Sequence, residues 1–221
     1  MSDIDPFVVT YVIMAVTVAV SYFCFEDRSL FERLKHSPYR ESNHGEWYRL
    51  LTSGFVHASW LHLGVNMFVF YSFGRFTEAA LKGYVGGLQE YRFDGWAAGL
   101  VYLGLYLLTI VIANVGTLLQ HRDNPRFGAI GASGAVSGVL FCTVLFQPWD
   151  KIYLYAVIPI YSIVAAVLFV LYSQYAANRG TDNVDHSAHL YGALAMPILL
   201  LLLRPGLVGH FVEQLTANRP F

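Results

Sequence analysis

Residues 128–138 read GAIGASGAVSG, four glycines and two serines inside an apolar run that continues to Phe146. In a soluble core helix each of those glycines would cost stability. The reading of this stretch therefore decides the fold. It is either a poor soluble helix, or irregular backbone leading into a membrane helix whose small residues let a neighbour approach.

Composition favours the membrane. The chain has 221 residues, 56% of them hydrophobic and 13% charged, against about 25% charged in a soluble domain. Its mean hydropathy is +0.47. Apolar runs near the ~18 residues that suggest a span lie at 7–24, 58–74, 97–119, 128–147, 152–177 and 186–203. The second and sixth carry histidines. The expected fold is all-α, a single polytopic membrane domain over 1–221 with six transmembrane helices. A net charge of −1 leaves no nucleic-acid footprint. Asp3 and Asp5 precede the first run with no Lys or Arg, so it is read as a retained span rather than a signal or transit peptide. Cys24 and Cys142 fall within or at the edge of spans and read as small buried hydrophobes.

The first loop, 25–57, is the longest and most charged. Its Phe, Leu and Trp residues alternate with charges, which suits a segment lying partly in the membrane interface. The second loop, 75–96, is glycine-rich, and the remaining loops are short. Lys and Arg do not set the orientation. With the N-terminus cytoplasmic, the inner side holds Arg75, Lys82, Arg92, Lys151, Arg204 and Arg219, six against the eight outside.

Polar residues inside spans are costly and face a bundle interior or a water cavity. His62 and Asn66 are four apart, on one helix face. Ser133 and Ser137 repeat that spacing, and His186 and His189 open the sixth span. The second, fourth and sixth spans all begin on the same side of the membrane. From Ser133 to Gln147, and from His189 to Leu203, about fifteen residues remain. At ~1.5 Å per residue each covers roughly 22 Å of a ~30 Å core. Ser133 and His189 thus sit at matching depth, roughly 8 Å below the surface, and Asn66 lies at about the same level. A serine, a histidine and an amide donor are the parts of a nucleophilic hydrolase.

A helix starting near Ser133 would place RFGAIGA above it as non-helical backbone, with free N–H groups at the serine. Gly134 and Gly138 would face Ala188 and Gly192, a second small-residue pair, and bring Ser133 to His189. The plain alternative is small-residue packing alone. His57, His62, His186 and His189 are the alternative metal set, but the HExxH spacing is absent, so no metal or other cofactor is expected. Asp185 reads as a cap or a solvent-facing group, leaving a dyad rather than a triad.

The ordered set of motifs resembles the rhomboid family of intramembrane serine proteases. EWYRLLTSGFVHASWLHLGVNMFVFYSFGRFTE is similar to that family's first-loop Trp-Arg region and its His-and-Asn helix. GASG is similar to its nucleophile motif, and AHLYG to its histidine motif. The likeness runs from about Trp47 to Gly192. It implies the six-helix fold, Ser133 as nucleophile and His189 as general base. It also implies an oxyanion held by Asn66, His62 and backbone N–H groups of the Ala132–Ser133 stretch, and a structural role for His57. Substrates would be transmembrane segments of other proteins within the lipid bilayer, and a bacterial inner membrane is the expected home of this multi-pass protein. The sequence leaves its oligomeric state open. The chain departs from the family's habits at Ser137, where an aromatic residue is common, and at Met196, where a glycine is common; the latter would loosen the contact between the fourth and sixth spans. Two other functions stay open: a catalytically silent relative that binds transmembrane clients, and a small transporter.

Overall fold

The computed structural model describes residues 7–85, 87–154, 157–179 and 184–217. Ten α-helices lie among them. They are α1 (Val8–Glu26), α2 (Arg28–Leu34), α3 (Pro38–His44), α4 (Arg49–Thr52), α5 (Trp60–Leu81), α6 (Gly95–His121), α7 (Ser133–Phe146), α8 (Ser162–Arg179), α9 (His186–Leu203) and α10 (Leu207–Ala217). Helices α1, α6 and α9 are each long and apolar enough to cross a membrane. Large side chains such as Leu61, Phe68, Leu119, Leu171 and Leu202 face outward, as a lipid-facing surface requires. The molecule is a polytopic helical membrane bundle.

Helix α7 is the axis of the bundle. It has 14 residues, roughly 21 Å, and is apolar almost all round, so neighbours cover every side. Helices α5, α6 and α9 pack directly on it, with α9 the most extensive partner. Helix α1 stands behind α5. The carboxylate of Glu78 on α5, fully buried, accepts from the N–H groups of Val9 (3.1 Å) and Thr10 (2.8 Å), the Thr10 hydroxyl and the Lys82 ammonium. The first turn of α1 has no side-chain cap of its own, so Glu78 satisfies its orphan donors from a neighbouring helix.

Helix α8 is the outermost. Of its 18 residues Ser162, Ala166 and Ser173 are buried. The span expected over 152–177 does not start as a helix. Lys151–Leu154 (β1) pairs antiparallel with Ile158–Tyr161 (β2), Ile152 opposite Ile160 and Tyr153 opposite Pro159, and the helix begins at Ser162. The β-branched and aromatic residues of this stretch suit a pleated ribbon, and Pro159 cannot donate to a helical turn. The fourth span is likewise shorter than 128–147, because helix begins only at Ser133. The glycine-rich second loop is shorter than 75–96, because α5 continues to Leu81. The amphipathic α10, beyond the sixth span, carries no apolar run long enough to announce itself in the sequence. Cys24 and Cys142 are buried free thiols.

Candidate active site

The first loop folds into α2, α3 and α4 around the buried Arg49, whose Nη1 donates to the carbonyls of Glu32 (2.7 Å) and Lys35 (2.9 Å). That fixes the chain at His36. The His36 ring is buried against Glu41, Nδ1 to Oε1 2.7 Å. The His36 main chain pairs with Ala129, N–H to carbonyl in both directions, at 3.0 and 3.2 Å. The first loop therefore grips the stretch before Ser133 and holds it extended. Gly131 follows with φ +120°, a conformation side chains rarely adopt. A Cβ there would lie 3.0 Å from the His62 ring and 3.7 Å from Ser133 Oγ. Its N–H donates to the Ser53 carbonyl, 3.0 Å.

Ser133 is the first residue of α7, where backbone N–H groups have no partner within the helix and the helix dipole is positive. Its Oγ lies 2.7 Å from Nε2 of His189, which sits in the first turn of α9. Glycines make that approach possible. A Cβ on Gly134 would come 3.1 Å from the Ala188 carbonyl oxygen, and one on Gly138 2.7 Å from that of Gly192. The fully buried Met196 packs onto Gly138, so the helices stay in contact where the sequence suggested loosening. Asp185 caps α9, accepting from Ala188 N–H (2.9 Å) and from the Thr117 hydroxyl (2.9 and 2.7 Å).

Ser133 and His189 open into a cavity of about 480 Å³ whose walls include His62, Asn66, Asn114 and Gly131. His62 Nδ1 accepts from the Ala58 N–H, 3.4 Å. That leaves Nε2 as the protonated nitrogen, on the side facing Gly131. Asn66 donates one Nδ2 proton to the His62 carbonyl, 2.9 Å, and has a second to offer. Ala132 is placed differently. Its N–H turns to Nε2 of His57, 3.4 Å, away from the Ser133–His189 pair. His57 is buried, and with His62 beside it, burial holds its imidazole down at about 3. Accepting at Nε2, it donates from Nδ1 to Ser21 Oγ, 2.9 Å, and Ser21 donates on to the Phe55 carbonyl, 2.8 Å.

Several residues here escaped the sequence reading. Asn114 of α6, buried, donates to the Leu50 carbonyl (2.7 Å) and to Ser53 Oγ (3.0 Å), steadying the group that binds Gly131. An amide within the span 97–119 was a signal by the same rule that singled out Asn66. Ser21, inside the span 7–24, carried the same signal, and Ser53, in the first loop, did not. Among the described residues no cluster of three His, Cys, Asp or Glu side chains is placed to hold a metal. The four histidines of the alternative metal set divide into two pairs. His57 lies against His62 (ring centroids 4.9 Å) and His186 against His189 (5.9 Å).

A family model described as "Rhomboid domain" matches residues 44–205. The Arabidopsis thaliana protein "Rhomboid-like protein 11, chloroplastic" is 32% identical over 175 residues, 76% of this chain and 56% of its own length. "RHOMBOID-like protein 12, mitochondrial", also from Arabidopsis thaliana, is 27% identical over 73% of this chain and 48% of its own. "Rhomboid-like protease 5" of Toxoplasma gondii is 28% identical over 69% of this chain and 16% of its own. The chain spans about half the length of the two plant relatives. With most of its length matched by the family model, the chain belongs to the rhomboid family, as an integral membrane protein of that fold.

Proposed function

We propose that this protein is an intramembrane serine endopeptidase that cuts transmembrane segments of other membrane proteins with a Ser133–His189 dyad. The observation that carries the reading is the 2.7 Å contact between Ser133 Oγ and His189 Nε2 at the wall of a cavity that His62 and Asn66 also line. His189 takes the hydroxyl proton as Oγ attacks a substrate carbonyl. The oxyanion that forms takes hydrogen bonds from the Ser133 N–H, from His62 Nε2 and from Asn66 Nδ2. The Ala132 N–H is directed to His57 and is left out of this set. His189 then protonates the leaving amine, and water from the cavity releases the acyl-enzyme. The substrate segment unwinds locally before reaction, because a helix keeps its carbonyls hydrogen-bonded.

The chain works as one membrane domain, and its partners are the client segment and the surrounding lipid. We assign it to a bacterial inner membrane, on the sequence reading. The plant relatives, named chloroplastic and mitochondrial, make organelle membranes the competing assignment, which fractionation of the source cells decides. The function is tested by incubating the detergent-solubilised protein with a fluorophosphonate and with a panel of single-span model substrates, beside Ser133→Ala. Labelling and cleavage that vanish in the variant are expected. A folded protein that neither labels nor cleaves would be a silent client-binding relative. Solute flux in liposomes unaffected by Ser133→Ala would identify a transporter.

A further inference from the structure

We propose that Phe169 of α8 is a positioning residue for His189, the aromatic wall that holds the imidazole against Ser133; this rests on the dyad reading above. The Phe169 ring lies 6.2 Å from the His189 ring, centroid to centroid, with 33° between their planes. That is within the range of favourable aromatic pairing. On its other side Phe169 meets Phe141 edge-on at 5.6 Å. Phe141 is on α7, about two turns beyond Ser133. Phe169 also packs on the small apolar cluster of Phe141, Val144, Ala166 and Ala193, and Ala193 follows His189 by one turn of α9. One ring thus touches the helix of the serine and the helix of the histidine at once.

Among the described residues a second ring also stands beside His189. The His186 ring also faces His189, at 5.9 Å and nearly perpendicular, but it sits on α9 and moves with it. On α7, the position one turn beyond the nucleophile lines the same cavity as Phe169 and His189, and it holds the small Ser137. The steadying ring comes from α8 instead. That helix is the outermost of the bundle, with three buried residues, so the alignment of the dyad depends on how α8 is seated. Without the wall the imidazole gains freedom to turn, and a displacement of about 1 Å at a reacting atom can cost ~100-fold in rate.

The test compares fluorophosphonate labelling of the full chain in detergent, resolved into kinact and KI, for the parent, Phe169→Ala and the double variant Phe169→Ala/Ser137→Phe. The double variant moves the same ring from α8 to α7. Thermal melting is followed in parallel. We expect Phe169→Ala to lower kinact roughly 10- to 100-fold with KI within about twofold, and the double variant to recover most of the loss. If Phe169→Ala does not fold, Phe169→Leu carries the same comparison, since it keeps apolar volume without the ring. Parental kinact in the single variant would overturn the proposal. So would a loss that tracks melting and is not recovered by the ring at position 137. A folded parent that does not label at all would overturn the dyad reading itself, and this proposal with it.

Discussion

Gly192 of α9 and Gly134 of α7 meet main chain to main chain: a Cβ built on Gly192 would be driven into the Gly134 carbonyl oxygen. That contact sits one residue past Ser133 and three past His189, so the separation of the two backbones sets the 2.7 Å between Oγ and Nε2. Gly192→Ala is expected to part the helices. Overpacking of this kind costs about 1–3 kcal/mol, and the labelling rate should fall at least ~10-fold, because misplacement at the reacting atoms is expensive. Melting in detergent and fluorophosphonate kinetics measure both. Parental rates at reduced stability would show that the dyad adjusts independently of the glycine contact.

Ser133→Ala and His189→Ala should each abolish cleavage, by at least ~10³-fold, since members of such a unit fail together. Both should leave the melting temperature near that of the parent. Ser137→Ala should keep its activity, because its hydroxyl lies one helical turn from the nucleophile. Normal turnover by either dyad variant, scored on a model transmembrane substrate, would refute the assignment.

Asn66 already bonds the His62 carbonyl at rest, so two roles compete for its amide. If it stabilises the oxyanion, Asn66→Ala should react at least ~10-fold more slowly while melting close to the parent; one such donor is worth about 10²–10³ in kcat in a soluble protease. The loss should appear in kcat more than in KM. A variant that melts much earlier yet labels at the parental rate while folded would make the amide a structural group of α5, acting through its bond to the His62 carbonyl.

His57 makes stability depend on pH with a definite sign. Its imidazole sits at about 3 in the fold, because burial and the adjacent His62 disfavour the charged form, and near 6.5 when unfolded. Between those values the unfolded chain binds the extra proton. Stability from this group is therefore complete above about pH 6.5 and is lost as pH falls toward 3, by up to about 1.4 kcal/mol per pH unit. His57→Gln keeps an acceptor for the Ala132 N–H and removes the titration. Its melting temperature should fall less steeply with acid than the parent's. Equal slopes would mean that His57 is protonated in the fold.

Much of this is legible in the sequence alone. Helical rise is fixed and the bilayer has a set thickness, so depth in a membrane helix is linear in residue number. That is why Ser133 and His189, each about fifteen residues from the far end of its span, could be placed at one level. It is also why Gly134, Gly138, Ala188 and Gly192 could be read as facing pairs. Cost in hydrocarbon singled out His62 and Asn66.

What depth does not contain is rotation, tilt and the direction of each main-chain group, and these only the tertiary structure decided. The Ala132 amide was expected near the oxyanion and turns instead to His57, because the grip of His36 on Ala129 and of Ser53 on Gly131 aims the chain there. Residues 152–154 and 158–161 read as part of a span and instead lie in two paired strands, since apolar content is shared by buried helix and ribbon while Pro159 and the β-branched residues favour the ribbon. Phe169 reaches His189 as an apolar residue of α8, and a rule that marks polar residues does not single it out. The linear sequence determined which residues share a depth. The packing of helix against helix determined which of them touch, because contact depends on how each helix is turned about its axis, and that is set by all of its neighbours together.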